Sequence, residues 1–399
     1  MSALRILYFA DIRFPLERAN GIQTAETCHA LARKGDEVVL VVRPDSAVPP
    51  RDPWSFYGLP ADARLVLEVV RARGPLQLRR ATYLLRAAAR TFRAAADLVM
   101  TRDLGVAGVL LALPRAMRPP LVYESHGLAP VVSAALPELL ANASHASKAK
   151  QDRLRRRERR VWQHAEGYIT ITHALAEDLA ALYGPRRRPL AVIPDGARVD
   201  HPRRFEPPAR NARPVVCYAG HLYPWKGVDL LLHAISLLPD TACLIVGGMN
   251  GEGDLDRLRT LAHSLGIDER VRFTGSVAPS EVRPMLLRAD VLVLPNTATA
   301  ISERYTSPLK LFEYLAAGRP VVATDLAAVR EVLADGRNAV LAPPGDPAAL
   351  ADAIRRVIDD SELAARIARQ AFEDAAGFSW DCRAERIRKM FEAARRPTP

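Results

Sequence analysis

A chain of 399 residues, 49% hydrophobic and 25% charged, has the make-up of two ordinary globular domains rather than one large core. No apolar run approaches the roughly 18–20 residues that span a bilayer, and no secretory signal pattern opens the chain, so a cytoplasmic protein is expected. The formal net charge of +11 favours anionic partners, whether nucleic acid, acidic lipid or phosphorylated substrate, without choosing among them.

Short apolar runs alternate with helical patterns from end to end. Residues 4–10 read as a strand, 21–34 as a helix and 37–42 as a β-rich run. Further strands are expected at 65–70, 97–101, 121–124, 167–171 and 190–193, with helical patterns between most of them. Around 196–213 the periodicity lapses into Pro- and Arg-rich text (Pro202, Pro207, Pro208, then Pro214), which reads as a linker. A second series follows, with strands at 215–218, 242–246, 271–273, 291–294, 320–323 and 339–341. Helices are expected at 228–238, 254–265, 309–317 and 347–358. The last segment, 379–396, is a charged helix with Trp380, Ile387, Met390 and Phe391 on one stripe, suited to packing back onto the first domain. Such alternation predicts βαβ units and parallel sheets covered on both faces.

The basic excess is uneven. Residues 71–118 carry ten arginines against Asp97 and Asp103, and 148–160 carry eight basic residues against Asp152 and Glu158, so the basic surface belongs to the first half. The 4 cysteines (Cys28, Cys217, Cys243, Cys382) form no C-x-x-C pair, which fits neither a disulfide framework nor a zinc site.

In open α/β sheets ligands bind beyond the carboxyl ends of the strands, so the residues after each strand are the candidates. After the first comes Gly21, read as opening a helix whose free N–H groups suit a phosphate, although a plain helix start looks the same. After 121–124 come His126 and Gly127; His126 could donate to a sugar hydroxyl or a phosphate oxygen, or be structural. After 215–218 come Gly220, His221, Lys226 and Gly227, a glycine turn and a lysine at a helix start, where a diphosphate could be held as a leaving group. Gly247 and Gly248, in a cluster running to Gly251 and Gly253, would let a nucleotide approach the backbone. Thr274, Gly275 and Val277 follow the next strand, where main-chain groups could read a base edge. Ser307 is expected to cap a helix with Pro308 at its first position, leaving Lys310 and Glu313 on one face. Glu313, read as lying on the first turn, could accept both hydroxyls of a ribose. The Asp254-Leu-Asp256 spelling is read as a helix start favoured by the dipole, not as a metal site.

Together these residues resemble the retaining GT-B glycosyltransferases of family 4. The likeness covers nearly the whole chain and is strongest over 194–332: Ile193-Pro-Asp-Gly, Gly220…Lys226-Gly227, Phe273-Thr-Gly and Ser307-Pro-Leu-Lys-Leu-Phe-Glu-Tyr-Leu-Ala-Ala-Gly. It implies an α/β GT-B fold of two Rossmann-like doubly wound domains facing across a cleft. Residues 1–195 would bind acceptor, 196–213 link the domains, 214–376 bind the nucleotide sugar, and 377–399 form the closing helix.

It further implies transfer with retention from a nucleotide-diphosphate sugar, UDP-sugar rather than GDP-sugar, to an acceptor hydroxyl, without metal. Gly21, Gly220, His221, Lys226, Ser307, Leu309 and Lys310 would serve the diphosphate and sugar. Glu313 would hold the ribose, Gly247, Gly248, Thr274, Gly275 and Val277 the base, and His126 the transferred sugar. His126, Lys226 and Glu313 are the expected catalytic set. The expected acceptor is a sugar or lipid-linked glycan at the inner face of the cell membrane, with basic residues of 76–96 touching acidic lipid.

The chain departs from the family pattern at three places. His221 stands where the family carries Arg, Tyr305 stands eight positions before Glu313 where it carries Glu, with Glu303 out of register, and Pro308 removes an N–H from the sugar loop. Two other readings compete: a nucleic-acid or anionic-surface binder, for which no recognition motif is present, and a nucleotide-sugar epimerase on the same fold.

Overall fold

A computed structural model of the chain describes residues 2–93, 95–139, 146–199, 204–205, 207, 210–248 and 253–396. Gly251 of the glycine cluster and Pro202 and Pro208 of the expected linker lie outside the described residues.

Two units emerge. The first comprises Met1–Ala134, His145–Asp195 and Trp380–Pro399; the second comprises Ala135–Ser144 and Gly196–Ser379.

Among the described residues the first unit holds seven parallel strands: β1 (Arg5–Arg13), β2 (Glu37–Arg43), β3 (Leu65–Val69), β4 (Leu98–Thr101), β5 (Leu121–Ser125), β6 (Gly167–Thr170) and β7 (Leu190–Val192). Their order is β3-β2-β1-β4-β5-β6-β7, a doubly wound sheet whose order reverses between β1 and β4. β4, β5 and β6 are buried along their whole length, so their sequences do not alternate apolar with exposed polar residues, and Glu124 and Ser125 at the end of β5 are buried polar groups. Each fully buried Val or Leu contributes roughly 1.5–3 kcal/mol relative to exposure.

The closing helix Trp380–Arg395 belongs to this unit, as its stripe predicts: Trp380, Ile387, Met390 and Phe391 are all buried. A Cβ at Gly167 of β6 would stand 2.9 Å from the Met390 sulfur, so the strand surface is shaped to the helix.

Among the described residues the second unit holds six parallel strands: β8 (Val215–Ala219), β9 (Ala242–Val246), β10 (Val271–Phe273), β11 (Val291–Leu294), β12 (Val321–Thr324) and β13 (Val340–Ala342). Their order is β10-β9-β8-β11-β12-β13, so the reversal falls between β8 and β11. The segment expected as a linker is counted in this unit: Phe205 packs against Phe372 with ring centroids 5.6 Å apart, and the Asn211 amide donates to Asp290. The helices Pro279–Leu286 and Ser361–Asp374 were not expected from the sequence. Among the described residues no helix is long and apolar enough to cross a membrane.

Candidate functional site

The second unit gathers its candidate residues at the carboxyl end of β8, beside the reversal point. β8 ends at Ala219, whose N–H donates to the Tyr314 hydroxyl at 2.8 Å, tying the strand end to the helix Leu309–Ala317. Gly220 follows with φ +140, and a Cβ there would stand 2.6 Å from the Lys310 ammonium. Gly247, at the end of β9 with φ +114, meets the same turn: its Cβ would fall 2.3 Å from the Gly220 carbonyl. Only glycine allows both the left-handed backbone and this approach.

Lys310 is 8% exposed, and its Nζ has no hydrogen-bond partner among the described residues; it lies 3.7 Å from the centre of the Tyr218 ring. Burial first, then the charge of Lys226, push it well below the usual lysine range, with Glu313 pulling the other way. Lys226 is half-buried with Nζ 3.4 Å from the centre of the Trp225 ring, and burial pushes it down to about 7. Two desolvated ammonium groups that disfavour each other's charge are a poor arrangement in isolation. A diphosphate would restore both charges. The hydroxyl of Tyr218 donates to the His221 carbonyl at 2.5 Å, and the His221 ring stacks on Tyr223 with centroids 5.1 Å apart.

The strand β10 leads to the expected base-reading groups. Gly247 N–H donates to the Gly275 carbonyl at 3.1 Å and to Thr274 Oγ1 at 3.2 Å, joining the ends of β9 and β10. Val277 packs partly buried against the core.

Two local expectations are corrected, and a third holds. Ser307 does not cap the helix: Pro308 occupies the cap position with extended backbone, no side chain caps, and helical geometry begins at Leu309. Glu313 is the fifth residue of the helix, just past its first turn rather than on it. Gly21 lies in the first turn of the helix Ala19–Arg33, which Ala19-Asn20-Gly21 opens as expected; its N–H donates to the Arg18 carbonyl, and a Cβ would stand 2.3 Å from the Leu16 carbonyl. Close packing is what that position demands. Of the variant positions, Tyr305 is buried and Glu303 is exposed. Asp254 and Asp256 lie on the first turn of Asp254–Ser264, paired with Arg257 and Arg259.

In the first unit, His126 follows β5 and joins a buried polar cluster that the sequence did not reveal. Its Nε2 lies 2.7 Å from Glu124 Oε1, on a carboxyl that is 0% exposed. The same oxygen receives Arg383 from the closing helix at 2.5 Å and the Gln23 amide at 2.8 Å, while Arg102 donates to the Gln23 carbonyl oxygen. Arg383, 2% exposed, also donates to Thr27 and to the Pro194 carbonyl and lies 3.8 Å from Asp195. Burial opposes ionisation of Glu124, but Arg383 first, then His126 and Arg102, outweigh it and bring the carboxyl down to about 2. Burial and Arg102 push His126 below the usual histidine range against the pull of Glu124. Ligand atoms of Glu124, His126 and Asp195 lie within 4.8 Å of one another, a spacing open to a metal ion, but the Arg383 guanidinium already supplies positive charge there.

One signal for this cluster was present in the sequence. Arg383 stands three residues after Trp380 and four before Ile387, on the helix's apolar stripe, and a charge there demands a buried partner.

A twofold doubly wound α/β architecture with a basic, glycine-lined turn at a sheet reversal is that of the GT-B glycosyltransferases. A family profile described as Glycosyltransferase Family 4 matches residues 21–201, and one described as Glycosyl transferases group 1 matches 213–360. The chain is 30% identical over 298 residues to the D-inositol 3-phosphate glycosyltransferase of Xylanimonas cellulosilytica, covering 70% of this chain and 68% of that one. The same enzyme of Nocardia farcinica is 31% identical over 292 residues, covering 69% of this chain and 62% of the relative. The chain thus spans about three fifths of the length of the first such relatives, 62% and 60%. Among solved structures, sucrose-phosphate synthase from Thermosynechococcus elongatus has the same fold at TM-score 0.76 and 18% identity, with 98% of each chain covered. Anabaena HepE, solved with UDP, does so at TM-score 0.73 and 20% identity, covering 98% of this chain and 100% of that one. The chain belongs to the group 1, family 4 glycosyltransferases.

Proposed function

We propose that the protein transfers a sugar, with retention, from a nucleotide-diphosphate donor to an acceptor hydroxyl, without a metal. The observation that carries this reading is the buried Lys310 ammonium, without a hydrogen-bond partner among the described residues, beside Gly220 and Lys226 at the end of β8. A chain that desolvates one buried and one half-buried lysine next to left-handed glycines, with no carboxylate among the described residues on Lys310 Nζ, is built to receive an anion.

In this reading Lys226, Lys310 and His221 hold the diphosphate and stabilise it as it leaves. Glu313 holds the ribose, and backbone groups at Gly247, Gly248, Thr274 and Gly275 meet the base. Leu309 opens a helix whose first N–H groups lack partners within the helix, so they suit a phosphate oxygen. His126 serves the transferred sugar. Positioning and charge stabilisation do the catalytic work, and the donor phosphate takes the acceptor proton. UDP is the favoured nucleotide, a choice supported by the UDP complex of HepE.

The acceptor is proposed to be a sugar or lipid-linked glycan at an acidic membrane surface. The helix Leu76–Arg93 supports this choice. Tyr83, Ala87 and Thr91 are buried, while Leu78, Leu85 and Phe92 form an exposed line flanked by Arg79, Arg86 and Arg93. Arg80 and Arg90, counted in that basic face from the sequence, are taken up by Asp11 with Asp103 and by Glu68.

Calorimetry with UDP, GDP, ADP and dTDP in EDTA tests the donor site. Binding of one nucleotide, lost in Glu313→Ala, is the expected result. Folded protein that binds none of the four would overturn the reading and favour a plain anionic-surface binder. Release of free nucleotide only when acceptor is present separates transfer from epimerisation.

A further inference from the structure

We propose that Arg383 and Glu124 are positioning residues that lock His126 in the tautomer with its proton on Nε2, so that Nδ1 faces the ligand as a hydrogen-bond acceptor. The inference rests on the reading above only in giving His126 a sugar to touch; the locking itself follows from the geometry.

Glu124 Oε1 receives three groups: His126 Nε2 at 2.7 Å, Arg383 Nη2 at 2.5 Å and Gln23 Nε2 at 2.8 Å. The other oxygen, Oε2, is buried and has no hydrogen-bond partner among the described residues. Beside a guanidinium at that distance the carboxyl is ionised, and an ionised carboxyl only accepts. The ring nitrogen 2.7 Å away must therefore carry its hydrogen. Gln23 cannot take the opposite orientation, because Arg102 donates to its carbonyl oxygen at 2.8 Å and leaves the amide nitrogen for Glu124. Every partner of Oε1 is thus a donor of fixed polarity.

The charged groups around the imidazole are Glu124, Arg102 and Asp195, with Arg383 behind the carboxylate. Arg102 and burial disfavour the imidazolium, so at neutral pH the ring is neutral and offers a bare Nδ1. His126 then accepts from a ligand hydroxyl instead of donating to one. This reverses the polarity expected from the sequence, and it discriminates for a hydroxyl and against a group that can only accept.

Arg383 reaches this position only because the closing helix, distant in sequence, packs on the first unit. Its guanidinium is spread over Glu124, Thr27 and the Pro194 carbonyl, so the carboxylate has no freedom to turn.

The test is nitrogen-15 NMR of labelled imidazoles, with the His126→Ala spectrum assigning the signal among the 9 histidines. Wild-type protein is expected to show His126 neutral at pH 7 with hydrogen on Nε2. Glu124→Gln should give mixed tautomers, because an amide can donate as well as accept. Arg383→Lys should keep the wild-type tautomer, and Arg383→Met should lose it. In transfer assays, Glu124→Gln and Arg383→Met should lower kcat at least tenfold and leave UDP affinity within twofold, with Arg383→Lys partly rescuing the rate. Hydrogen on Nδ1 in the wild type, or an unchanged tautomer in folded Glu124→Gln and Arg383→Met, would overturn the proposal. Full activity in His126→Ala would instead remove the sugar-contact reading and leave the tautomer result to stand alone.

Discussion

The Lys310 ammonium stands where any side chain on residue 220 would have to go, 2.6 Å from the Cβ that Gly220 lacks. The glycine is thus a requirement of the lysine as much as of the turn. Gly220→Ala is expected to displace Lys310 and strain a backbone at φ +140. UDP affinity should fall at least about tenfold, which is about 1.4 kcal/mol. Calorimetry reads this directly, and an unchanged dissociation constant in folded Gly220→Ala would show that Lys310 does not serve the nucleotide.

Lys226 gives donor binding a pH dependence. Its value is lowered to about 7 by burial, so the ammonium is present below that pH and lost above it. An anionic ligand favours the charged form, so affinity for UDP should weaken as pH rises from 7 to 8.5, by at most about tenfold per pH unit for one proton taken up. Lys226→Arg, charged throughout, should flatten the profile. A flat profile in the wild type would argue that Lys226 stays ionised without ligand.

The exposed line Leu78, Leu85 and Phe92 on Leu76–Arg93 predicts binding to vesicles of mixed neutral and anionic lipid, weakened by salt. Leu85 is 72% exposed, so Leu85→Asp should cost the fold little and should reduce co-sedimentation several-fold. Equal recovery with purely neutral vesicles would contradict the role given to Arg79, Arg86 and Arg93.

Glu158 predicts a pH-dependent stability effect. It is buried, accepts from the Ala129 N–H and the Tyr183 hydroxyl, and burial raises its carboxyl from 4.5 to about 7. A raised carboxyl stabilises the fold below its ordinary value and loses that contribution as pH climbs through the folded one. Glu158→Gln should therefore match the wild type near pH 4 and exceed it near pH 8, by up to about 3 kcal/mol. Urea midpoints at the two pH values measure the difference, and a constant difference across pH would refute the assignment.

The strands of both units were legible because each is a short, apolar, β-rich run flanked by turns, and a parallel sheet buried on both faces writes itself that way. Pro279–Leu286 was not, since Pro284 inside it reads as a breaker. Gly220, Lys226 and Lys310 could be proposed from the sequence because each stands just after a strand or near a helix start, where open α/β sheets bind ligands. The crowding of Lys310 by Gly220 and the missing Ser307 cap were decided by packing. So was the Arg383–Glu124 pair, which joins residues 259 apart in sequence. The sequence by itself determined the alternation of strand and helix, the burial pattern and the family. Only the tertiary structure decided which polar groups share a carboxylate and which lysine lacks one, because those depend on distances that no local pattern encodes.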